Sequence, residues 1–197
     1  MESKKTGDIT SIVGYVAIIV IVISLAFIGF RITGLATTDT ATINVTITNF
    51  TAINFTTDFV NFGSGSIDAG ESGATINTEG SVTGGSWTPV STPLVLENIG
   101  NTNASINISS DKSAADFIGG DTPTFKIKVG DTSGNTGACQ SNGAATYTEI
   151  GTSNITICNP LQFDGDVDEI DIDVELYIPS DASGSKTTTL TAYATAA

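Results

Sequence analysis

The chain has 197 residues, with seven Lys and Arg against 21 Asp and Glu, no histidine, and a formal net charge of -14. That charge excludes phosphate-backbone binding to nucleic acid, which needs a basic face, and the missing histidine removes His-based triads, His metal sites and the commonest general base. Charged residues make up only 14% of the chain, well below the ~25% of ordinary soluble domains. Its polar surface must therefore be built from Thr, Ser, Asn and Gly, which favour extended chain and turns over helix.

From the N-terminus, Lys4 and Lys5 precede an uncharged run, Ile9 to Phe30, reading ITSIVGYVAIIVIVISLAFIGF. As a helix it would span about 33 Å, enough to cross a bilayer core. All faces are apolar, which argues against a buried helix of a soluble domain. The two lysines keep the N-terminus cytoplasmic and send the remainder outside, with Arg31 weakening that bias slightly. Three fates are open to such a segment: an ordinary secretory signal, for which it is long, a permanent N-in, C-out anchor, or a leader cut before the hydrophobic stretch, which is then retained.

The residues around Gly7 favour the last. Gly7 follows Lys4, Lys5 and Thr6, and Gly7-Asp8-Ile9-Thr10-Ser11-Ile12-Val13-Gly14 opens the helix. This resembles the start of archaeal type IV pilins, over about 30 residues. The resemblance implies processing between Gly7 and Asp8, residues 1–7 as leader, and residues 8–33 as a hydrophobic helix held in the membrane before assembly and in a filament core afterwards. Bacterial type IV pilins typically carry Glu at the fifth mature position; here that position is Ile12, which argues against a bacterial pilus. Gly14, Ala17, Ala26 and Gly29 would allow close helix approach in such a core.

Residues 34–42 read as a polar linker, and residues 43–197 as an extracellular β-domain. Ile43, Val45 and Ile47 alternate with Asn44, Thr46 and Thr48, the period-2 pattern of a half-buried strand. Ile53, Phe55 and Phe59–Phe62 continue it. Further strands are expected at Ser66–Ile76, Thr92–Glu97, Ala104–Ser109, Pro123–Val129, Thr146–Ile150, Asn154–Cys158, Glu169–Ile178 and Thr187–Ala194, separated by Gly-rich turns. No segment after Gly34 shows helical periodicity. Roughly ten short strands at this spacing predict an all-β sandwich, Ig-like or jelly-roll, preceded by one N-terminal hydrophobic α-helix.

Cys139 and Cys158 lie in or beside segments that could pair as neighbouring strands, and a disulfide between them suits an oxidising compartment. Closing a loop of that size contributes about 3 kcal/mol. Asn-x-Ser/Thr glycosylation sequons occur at Asn44, Asn49, Asn54, Asn103, Asn107 and Asn154; they are used only in exported chains of cells with the machinery. The acidic run from Asp164 to Glu175 divides in two. In its second half Ile170, Ile172, Val174 and Leu176 alternate with Asp171, Asp173 and Glu175, whose like charges repel unless ions or an adjacent strand neutralise them. In its first half Asp164, Asp166 and Asp168 stand at alternate positions of a loop, hard oxygen ligands of the kind that suits Ca²⁺, although the spacing is not that of an EF-hand and a solvated acidic face is the preferred reading. No other cofactor is expected.

No catalytic constellation stands out. Asp131-Thr132-Ser133-Gly134 lacks the spacing and the second copy of an aspartic-protease pair, and no P-loop, dinucleotide fingerprint or nucleophile elbow occurs. Lys126 or Lys128, with Glu97, is a remote candidate for an isopeptide crosslink. The expectation is a protein that is not an enzyme, partnered with itself and, before assembly, with the membrane. It is read as a structural subunit of an archaeal cell-surface filament supporting adhesion or attachment. A second reading is a strand-donated matrix fibre, since the β-domain, with Phe62–Gly70 (FGSGSIDAG), faintly resembles TasA-type fibre proteins and archaeal bundling pili. That resemblance implies donation of Ala41–Asn49 to the next subunit. A third is a membrane-anchored coat or binding module, for which Trp87 would be an exposed stacking residue rather than a core one.

Overall fold

The computed structural model describes residues 14–21 and 40–197. Two units are distinct, residues 1–46 and residues 47–197. In the first, residues 14–21 form helix α1, exposed along its length, and residues 40–46 form no strand. The remainder of the helix expected over 8–33, the Gly7–Asp8 processing site and most of the linker lie outside the described residues. Among the described residues no helix is long and apolar enough to cross a membrane.

The second unit is mostly β-sheet: β1 (Asn54–Thr57), β2 (Gly73–Asn77), β3 (Val82–Thr83), β4 (Leu94–Glu97), β5 (Ala104–Ser110), β6 (Thr124–Asp131), β7 (Thr148–Glu149), β8 (Ile155–Leu161), β9 (Glu169–Pro179) and β10 (Leu190–Ala196), with one short helix, α2 (Ala114–Phe117), between β5 and β6. Strand β9 organises the larger sheet. β6 runs antiparallel along one side of it, from Thr124 opposite Tyr177 to Asp131 opposite Ile170. Its other side is shared by β4 at the Glu169 end and β2 at the Pro179 end. With β1 on β4, β3 on β2 and β7 on β6, this sheet has seven strands; β10, β5 and β8, in that order, make a second sheet of three.

The alternation expected for β9 holds. Ile170, Ile172, Val174 and Leu176 are buried, while Asp171, Asp173 and Glu175 lie on the other face. The inner residues pack with Ile76, Leu96, Phe125 and Ile127 of the larger sheet and with Ile106, Ile108 and Ile157 of the smaller one in a single apolar core. This two-sheet arrangement fits the expected sandwich class.

Several boundaries moved. The strand expected over Ser66–Ile76 is confined to β2, with Ile67 making only an isolated bridge to Gly85. β3 and α2 were not legible as elements: β3 is two residues long, and α2 is a single turn. Its signal was a cap, in which the Ser113 hydroxyl accepts from the Asp116 N–H. The largest departure is at Ile43–Ile47, expected to be a strand and found unpaired.

Where the chain passes from β4 to β5 it is fixed by Asn98, whose side chain is 1% exposed. Its Nδ2 donates to the carbonyls of Thr102, Leu161 and Gln162, and its Oδ1 accepts from the Gly100 N–H. The same turn holds the stem of the unpaired segment. The Asn101 Nδ2 donates to the Thr48 carbonyl, its Oδ1 accepts from the Phe50 N–H, and its N–H donates to the Phe50 carbonyl. Gly100 permits this approach, because a Cβ there would come within 2.5 Å of the Phe50 oxygen.

Candidate assembly surface

The unpaired segment keeps its period-2 pattern without burying it. Ile43, Val45 and Ile47 are 91%, 81% and 82% exposed. A strand face of three β-branched residues left in water is costly, since burial of each contributes about 1.5–3 kcal/mol; such faces mark interaction sites.

A complementary cavity is present in the second unit. There a groove of about 1210 Å³ opens, its lining reaching down to the buried core residues Ile76, Leu94, Phe125 and Leu176. Asp58–Asp68 and the approach to β10, Ala182–Leu190, also line it. Val60 and Phe62 pack against the core while Phe59 is 71% exposed. Among the described residues β10 pairs only with β5, which leaves its other backbone edge open there. An open edge presents unpaired N–H and C=O groups to any incoming strand.

Trp87, the only tryptophan, is half-buried and lines the groove. Its ring lies against Gly65 and Gly85, and a Cβ at either glycine would collide with it. Glycine at position 65 is thus required by a close approach. Trp87 packs against the core, as one of its two sequence readings held.

The outer face of the larger sheet is acidic but internally paired. Lys126 stands opposite Glu175 and Lys128 opposite Asp173, with Nζ–carboxylate distances of 3.8 and 3.6 Å. Lys128 also pairs with Glu79, which accepts from the Tyr147 hydroxyl at 3.0 Å. The Lys128 ammonium, then that hydroxyl, hold the Glu79 carboxyl below its ordinary range. An adjacent strand therefore does the neutralising that the β9 carboxylates require. Glu97, the third member of the suggested isopeptide trio, sits opposite Glu169 at the far end of β9 and is not brought to either lysine.

At that far end no cation among the described residues compensates. Burial first, then the Glu97, Asp168 and Asp171 carboxylates, push Glu169 up from its usual value. A carboxyl raised on folding costs stability at pH values where it is ionised, and the cost fades as pH falls through its folded value toward its unfolded one. Glu169→Gln is therefore expected to raise the melting temperature at pH 7 by about 2 °C and to bring no gain near pH 4, measured by circular dichroism melts at the two pH values.

The other sequence-derived sites are placed as follows. Cys139 and Cys158 form a disulfide, with Cα atoms 5.6 Å apart, pinning the 132–147 loop to β8. Asp164 and Asp166 are exposed in a turn closed by the Val167 N–H to the Asp164 carbonyl, whereas Asp168 is 9% exposed and its N–H donates to Asn135. Among the described residues no three His, Cys, Asp or Glu side chains are grouped so as to hold a metal ion. Asn44, Asn49, Asn54 and Asn154 are exposed; Asn103 and Asn107 are half-buried, and Asn107 accepts from the Thr156 hydroxyl at 2.7 Å. The groove itself was not foreseeable, since its lining comes from many stretches of chain, from Phe55 to Leu190.

No protein-family model, curated protein or solved structure matches this chain.

Proposed function

We propose that the chain is a structural subunit of a cell-surface filament, exported N-in and C-out, that acts by self-association rather than by catalysis. The observation that carries this is the unpaired, alternating face Ile43, Val45 and Ile47, more than four-fifths exposed at each residue, in a chain whose second unit has an apolar core of its own. A disulfide-bonded domain of low charge density, rich in Thr, Ser and Asn, suits an oxidising exterior. The apolar run Ile9–Phe30 supplies a membrane store before assembly and an apolar filament core after it, with adhesion or attachment as the outcome. Strand donation from Ala41–Asn49 is the second reading, favoured by the open edge of β10.

The test of the helix core is a deletion. Removing residues 7–30 is expected to abolish filaments seen by electron microscopy while leaving a soluble domain with its native Trp87 emission. Filaments of unchanged diameter from the truncated chain would overturn the helix core.

A further inference from the structure

We infer that the free edge of β10 is a self-association site, at which β10 of one copy pairs antiparallel with β10 of a second copy about a two-fold axis at Tyr193. A two-fold contact closes on itself and makes pairs rather than a chain. It therefore adds a lateral contact to the filament reading above without depending on it, and it takes, at that edge, the place that the second reading gives to Ala41–Asn49.

Among the described residues the edge strands of this fold are blunted, with one exception. Edge strands are normally kept short, bulged, charged or interrupted by proline, because an unblunted edge templates pairing with another chain. In the larger sheet the edge strands β1, β3 and β7 have four, two and two residues, and β1 has a register shift as well. In the smaller sheet β8 carries Pro160 and register shifts, and bridges from Cys139 and Asn142 reach its other side. β10 has none of these devices. Its seven residues, LTAYATA, hold no charge and no proline and keep an unbroken register along β5. The ladder fixes which groups its edge presents. The Asp111 N–H donates to the Thr189 carbonyl and the Ala197 N–H to the Asn103 carbonyl. In the alternating antiparallel pattern, Thr191, Tyr193 and Thr195 then turn their backbone polar groups to β5, and Leu190, Ala192, Ala194 and Ala196 turn theirs to the open side. A second copy supplies the matching groups, because Thr191–Thr195 reads Thr-Ala-Tyr-Ala-Thr in both directions. Antiparallel pairing centred on Tyr193 sets Thr191 against Thr195, Ala192 against Ala194, and Tyr193 against its own copy, with about eight hydrogen bonds between the two strands. On the outer face this makes Thr–Thr and aromatic–aromatic neighbours, cross-strand pairs that stabilise sheets, and covers a Tyr193 ring that is 46% exposed in the single chain. Because the strand is uncharged, two copies of a chain of net charge -14 meet there with no like charges opposed.

The two native cysteines are bonded to each other and the chain has no third, so introduced thiols report pairing cleanly. Full-length chains carrying Tyr193→Cys, Thr191→Cys or Thr195→Cys, all at exposed positions, are oxidised mildly on the cells that express them and read on non-reducing gels, with Trp87 emission verifying the fold. The expected result is a covalent homodimer from Tyr193→Cys. Thr191→Cys or Thr195→Cys alone should give about tenfold less, because like positions then stand about 13 Å apart, beyond disulfide reach. Mixing those two variants, which keep Tyr193, should restore the yield. Equal yields from all three single variants, or no recovery in the mixture, would overturn the pairing. Linking of Tyr193→Cys to a cysteine placed at Asn44, Thr46 or Thr48 instead of to its own copy would give the edge to that segment and would also overturn it.

Discussion

With Val45 and Ile47 both replaced by aspartate, the full chain is expected to fold as before and to lose its filaments. Both side chains are more than 80% exposed in the monomer, and substitutions at such positions usually change stability by about 0.5 kcal/mol or less. The melting temperature should therefore stay within about 2 °C of the parent. Assembly is a different matter, because two carboxylates would have to be buried between subunits in place of an apolar strand face, and buried charges are strongly disfavoured unless they are paired. Sedimentation should find only unassembled chain at concentrations where the parent pellets. Filaments of parental yield from the double variant would mean that the segment takes no part in assembly and that its exposure has no structural use.

Asn98→Ala is expected to produce the largest loss of stability available from one polar side chain, about 3 kcal/mol in urea unfolding. Asn98 is 1% exposed and makes four hydrogen bonds, to the backbones of Gly100, Thr102, Leu161 and Gln162. Truncation leaves buried carbonyls and one N–H unsatisfied at the point where the chain crosses from the seven-stranded sheet to the three-stranded one. The effect should reach the assembly surface as well, because Asn101 in the same turn holds the backbone of Thr48 and Phe50. Asp at position 98 would restore the acceptor but none of the three donated bonds, and is expected to be no better than Ala. A loss below ~1 kcal/mol would show that the turn is held by its backbone alone.

The strands that sequence patterning locates well are those whose burial is local and periodic. β9 is the clearest: eleven residues alternating between a buried apolar face and a carboxylate face. The disulfide pairing was legible too, since only two cysteines exist. Ile43–Ile47 shows how that method misleads. Its alternation is as regular as that of β9, yet periodicity says only that one face seeks burial, not that the same molecule supplies the partner. The groove escaped notice for the opposite reason. Phe55, Trp87, Phe117, Phe125 and Leu190 all line it, and nothing in their spacing says that three strands will oppose seven. The acidic run was half legible: its strand was plain, but the compensating Lys126 and Lys128 lie some 45 residues away and meet it only through register.

Cryo-electron microscopy of filaments sheared from cells that express this chain tests the central claim most directly. The filament reading predicts that these filaments contain the chain, and the strand-donation reading predicts density for a fourth strand along Leu190–Ala196, continuous with residue 50 of a neighbouring subunit. Filaments in which that edge stays bare would contradict strand entry, and surface material lacking this chain altogether would contradict the filament reading itself.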